Sequence, residues 1–107
     1  MNSPRTLSQS ADTNNTYDPD THEITTTIPM FHFGVGDLVC GRIELALQTF
    51  RQASKENPDN AILLLDISHA LREADQLTEA SKYYDKYLAI KQRERIEAVL
   101  AEYRKGE

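Results

Sequence analysis

Laid over itself at an offset of 34 residues, the sequence sets Gly34 over Ser68, Ala46 over Ala80, Phe50 over Tyr84 and Met30 over Leu64. Each of these pairs preserves side-chain size class, and Leu47 over Ser81 does not. A period of this length holds two helices and a turn, and such a unit covers its apolar face only by stacking on the next one. Repetition therefore restricts the fold more tightly than any composition figure.

Apolar spacing predicts the helices inside each unit. Pro29 suits a first-turn position, and 29–40 is apolar on several sides, as in a helix packed between neighbours; Gly41 stops it. Over 43–56, Ile43, Ala46, Leu47, Phe50 and Ala53 recur at three- and four-residue steps until Asn57-Pro58-Asp59-Asn60 breaks the run. Asn60 is placed to cap 61–73, whose apolar face carries Leu64, Leu65, Ile67, Ser68 and Leu71. After a turn at Asp75, a stripe of Leu77, Ala80, Tyr84, Tyr87 and Leu88 predicts a helix over 77–91. A fifth helix is predicted over 93–104 from Ile96, Val99, Leu100 and Tyr103, with Gly106 just beyond it. The expected fold class is all-α, with stacked antiparallel hairpins.

Residues 1–26 follow a different composition, with six Thr, three Asn and three Ser but only Met1, Leu7, Ala11, Tyr17 and Ile24 from the hydrophobic set. Such a stretch buries too little apolar surface to offset its ordering entropy. It sets Arg5 against Asp12, Asp18, Asp20 and Glu23, which is -3 of the total -5. A disordered acidic tail is expected over 1–26, with strand pairing by HEITTTIPMFHF as the alternative.

With 107 residues the chain makes one domain at most, and it has little room for a deep catalytic pocket. The excess of 17 Asp+Glu over 12 Lys+Arg argues against a nucleic-acid or anionic-membrane partner, because both need surplus cations. No apolar run approaches bilayer length, and the first residues carry no signal-peptide core. The single Cys40 forms no intramolecular disulfide and favours a reducing compartment, so the expected location is the cytoplasm.

Phe33-Gly34, Gly41, Ala46, Phe50, Ala53 and Pro58, spaced as they are here, resemble the tetratricopeptide repeat. The first copy spans about 27–60. The second, about 61–94, keeps Leu64, Ile67-Ser68, Leu71, Ala80, Tyr84 and Leu88, but has Asp75 at the turn glycine, Tyr87 at a small position and Gln92 at the closing proline. Asp37 and Met30 depart from the pattern in the first copy. The resemblance implies a short α-solenoid over 27–107: two repeats and a capping helix over about 93–105. It further implies that Gly34 and Ser68 face the small Ala46 and Ala80, while Phe50 and Tyr84 fill the space between hairpins.

By the same resemblance, the chain binds a protein or peptide in a concave groove lined by Ile28, Phe31, Val35, Leu38, Leu65, His69 and Arg72. An exposed stripe of Phe31, Val35, Leu38 and Leu65 would suit a hydrophobic or amphipathic segment. The tail, the last helix or a second protomer could equally cover it. Family members that grip the acidic end of heat-shock chaperones use Lys, Asn and Arg, whereas this chain holds Phe31, Val35 and Asp66 at those places. An adaptor or partner-specific chaperone is expected. The alternatives are a small chaperone of the type III secretion kind or a self-assembling structural protein, and a homo-oligomer fits the latter.

Catalytic residues, metal ligands and cofactors are not expected. His22, His32 and His69 have no metal-ligand spacing with each other or with Cys40, which is expected to be a small buried hydrophobe. Gly34-Val35-Gly36 lacks the strand and the Lys of a phosphate loop. Lys82, Lys86, Lys91, Arg93 and Arg95 alternate with Asp85 and Glu94, as a solvated face does.

Overall fold

The computed structural model describes residues 22–106. Four helices follow in order: α1 Pro29–Val39, α2 Ile43–Glu56, α3 Ala61–Glu73 and α4 Leu77–Lys105. There is no strand among the described residues, and His22 to Ile28 runs as extended chain. Of the tail expected over 1–26, residues 1–21 lie outside the described residues. Helices α1 and α2 pair as one hairpin and α3 and α4 as a second, while α3 also touches α1 and α2.

Local chemistry sets most of the boundaries. Pro29 opens α1 directly after an extended Ile28 (φ -69°, ψ 119°), where its missing N–H costs no hydrogen bond. Gly41 reverses the chain at φ 81°, its N–H donating to the Leu38 carbonyl at 3.0 Å. Asn57 closes α2 by donating from Nδ2 to the Ala53 carbonyl at 2.9 Å. The Asn60 side chain accepts from Leu63 N at 3.0 Å, which is the expected cap of α3. The second turn uses Asp75 at φ 64°, the same left-handed region that Gly41 occupies one repeat earlier. That conformation costs a non-glycine residue about 1 kcal/mol, and the short polar side chain of Asp makes it tolerable.

The core runs through both hairpins, from Phe31, Phe50 and Ala53 through Leu63, Leu64, Ile67 and Leu71 to Ala80, Tyr83 and Ile90. Each large member contributes about 1.5–3 kcal/mol through burial. The rings of Phe31 and Phe50 lie 5.8 Å apart. A methyl group on Gly34 would stand 2.8 Å from Cδ1 of Phe50, so the glycine is required for the ring to lie against α1. The close approach at Gly34 is thus filled first by Phe50, where Ala46 was expected.

Three expectations are corrected. The helix over 93–104 is the continuation of α4, which runs unbroken from Leu77 to Lys105 because neither Gly nor Pro interrupts it, and nothing folds back as a separate cap. The buried stripe of α4 is Ala80, Tyr83 and Ile90 with Tyr87 beside it, whereas Leu77 and Leu88 are exposed and Tyr84 is half-buried on Tyr87. Cys40, expected to be buried, is exposed where α1 ends.

Candidate functional site: the inner face of α1 and α3

Residues 22–28, read from the sequence as tail and helix approach, form a strap across the inner face. Asp66 of α3 is 1% exposed and holds the strap with both oxygens. Its Oδ1 accepts from His22 Nε2 at 2.7 Å, and its Oδ2 accepts from the backbone N–H groups of Thr25 and Thr26 at 3.2 and 2.9 Å. His32 Nε2 of α1 donates to the Thr26 carbonyl at 2.9 Å. His32 and Asp66 are 34 residues apart, so equivalent positions of the two hairpins grip one residue, one through its C=O and the other through its N–H. Thr26 is buried in consequence. A buried carboxylate requires such donors, and here they come from an extended backbone.

Beyond the strap, the face opens into an apolar cleft of about 350 Å³ lined by Ile24, Val35, Leu38, Val39, His69, Ala70, Glu73 and Ala74. Val35 and His69 are again equivalent positions, as are Val39 and Glu73. The His69 ring lies 4.6 Å from that of His22. Burial holds the His69 pKa below the ordinary 6.5, and the neighbouring His22 adds to the effect. The three histidines read from the sequence as scattered therefore converge on the strap.

Of the residues expected to line a partner groove, Val35, Leu38 and His69 are brought together in this cleft. Phe31 does not belong to an exposed stripe: it is 1% exposed in the core against Phe50, while its neighbour Phe33 is 69% exposed. Ile28 packs on the core at the end of the strap, Leu65 is half-buried away from the cleft and Arg72 is exposed. Sequence reasoning missed Ile24, Val39, Ala70, Glu73 and Ala74 in the cleft and the role of Asp66. For Val39 and Glu73 the signal was present, since each stands one turn after Val35 and His69.

The basic residues of α4 are largely ion-paired. Lys82 meets Glu79 at 3.1 Å, Lys91 meets Glu94 at 3.2 Å and Arg93 meets Asp59 at 3.2 Å. Among the described residues no His, Cys, Asp and Glu cluster is arranged to hold a metal ion. No helix among them is long and apolar enough to cross a membrane.

A family model described as tetratricopeptide repeat matches residues 41–103. No curated protein matches the chain, and no solved structure does.

Proposed function

Because the chain belongs to the tetratricopeptide repeat family, whose repeats mediate protein–protein interaction, we propose that its inner face binds an extended segment of another protein. The work is that of an adaptor or of a chaperone dedicated to one partner. Val35, Leu38, Val39 and His69 take the apolar side chains of the ligand, which lies in the cleft beside the strap that Asp66 and His32 hold. The observation that carries this reading is the strap, an extended segment already seated on the face by backbone hydrogen bonds. Main-chain bonding seats an extended segment in this mode, and the cleft beside the strap offers apolar pockets for the ligand's side chains. Catalysis has no part in it. The exposed, unpaired thiol of Cys40 suits a reducing cytoplasm.

The test is selection from a library of displayed random peptides followed by titration of the peptides recovered. Ligands carrying apolar residues are expected, and Val39→Glu and Val35→Glu should each weaken them about tenfold or more, or about 1.4 kcal/mol. Val39 is 82% exposed, so its replacement tests the surface without disturbing the core. Unchanged affinity in both variants would remove the cleft from the reading.

A further inference from the structure

Helix α4 runs past the folded body. Ile90 is its last buried residue, and every residue of 91–106 is exposed. The projecting 91–105 segment is about 22 Å long at about 1.5 Å per residue. Along it, Ile96, Val99, Leu100 and Tyr103 recur at three- and four-residue steps on one side, exposed by 52%, 64%, 49% and 73%. A helix of this length is marginal in water by itself, and an apolar stripe of this kind is stabilised by a partner.

We propose that this partner is a second copy of the chain, whose own 91–105 segment lies antiparallel along the stripe about a two-fold axis between Val99 and Leu100. That register sets Ile96 against the partner's Tyr103 and Val99 against the partner's Leu100. The charges beside the stripe select it. At about 100° per residue, Glu97 and Arg104 fall on one flank and Arg95 and Glu102 on the other. In an antiparallel pair each flank meets its own counterpart. Glu97 then reaches the partner's Arg104, Arg95 reaches the partner's Glu102, and the symmetry makes each pair twice. Among the described residues Arg95, Glu97 and Arg104 take no part in the ion pairs within the chain. Antiparallel pairing also carries the two folded bodies to opposite ends of the helix pair, where they do not collide. A parallel pair would bring both to the same end.

Sedimentation equilibrium of the full chain across a wide concentration range tests the interface. A two-chain mass that falls to one chain on dilution is expected. Leu100→Glu should give one-chain mass at all concentrations, with helicity by circular dichroism kept for the folded body. Arg95→Glu should weaken association, and adding Glu102→Arg should restore it. These two positions lie two turns apart on one helix and do not touch, so the rescue reports a contact between copies. One-chain mass for the unaltered protein overturns the proposal, whether residues 1–21 or another protein then covers the stripe. An unaffected Leu100→Glu dimer overturns it too, and failure of the double reversal overturns the register. All three variants leave the inner cleft intact, so the outcome is separate from that of peptide binding.

Discussion

Phe50 in the first hairpin and Tyr84 in the second occupy equivalent places, yet Phe50 is fully buried while Tyr84 is half-buried and stacked on Tyr87 at 5.7 Å. The first ring is enclosed because Gly34 admits it to α1 and the next hairpin closes over it. Over the second, no further hairpin lies among the described residues. A repeat unit therefore specifies where a side chain stands, and its neighbour specifies how much that side chain contributes. Substitution at the two sites measures this directly. Phe50→Ala should cost about 3–5 kcal/mol, and at this size of domain it should leave little folded protein. Tyr84→Ala should cost about 0.5–1.5 kcal/mol, the range for losing an aromatic pair. Equal losses in chemical denaturation would mean that the second hairpin is covered as well as the first.

The equivalent pair His32 and Asp66 shows the same inequality on the inner face. Asp66 accepts from three donors and is buried, while His32 donates once to Thr26. Asp66→Ala should cost about 3 kcal/mol, the upper end for a hydrogen bond to a charged group, and His32→Ala about 1 kcal/mol. Hydrogen exchange separates release of the strap from global unfolding. In Asp66→Ala the Thr25 and Thr26 amides should lose protection while those of α2 and α3 keep theirs.

A comparison within α1 sharpens the role of close packing. Gly34 and Gly36 are two residues apart on one helix, but a Cβ at Gly34 would collide with Phe50, whereas at Gly36 nothing lies within 4 Å. Gly34→Ala should destabilise by about 1–3 kcal/mol. Gly36→Ala should instead stabilise by up to about 1 kcal/mol, since alanine orders a helix at lower entropic cost. Thermal melts of the two variants should shift in opposite directions.

The repeat architecture was legible because packing residues recur at fixed steps: Gly34, Ala46, Phe50 and Pro58 define the hairpin before any contact is known. Turns and caps were legible at Gly41 and Asn60 for the same reason, as local backbone chemistry. What escaped was set by contacts distant in sequence. Asp66 read as a residue unable to clamp a carboxylate, and its actual partners, His22, Thr25 and Thr26, lie 40 or more residues earlier. Phe31 carries the same apolar signal whether it faces a groove or a core, and only the approach of Phe50 decides between them. The unbroken course of α4 was hidden because the apolar residues of 77–91 and of 93–104 were read as two helices, although no Gly or Pro stands between them.

Val35 and His69 form the last equivalent pair, both lining the cleft, and only His69 titrates. Burial and the nearby His22 lower its folded pKa, while Glu73 and Asp66 oppose the shift and Arg72 assists it. Below the ordinary value of 6.5 the unfolded chain binds a proton at this site before the folded chain does. The contribution of His69 to stability is therefore fully present above about 6.5, and it declines as the pH falls toward the lowered folded pKa. Below that pKa both states are protonated and the loss is complete. His69→Gln removes this component, so its unfolding free energy should fall less than that of the unaltered chain between neutral and mildly acidic pH. Denaturation curves at matched ionic strength provide the check, and parallel pH profiles for the two proteins would show that the strap does not restrict protonation of His69.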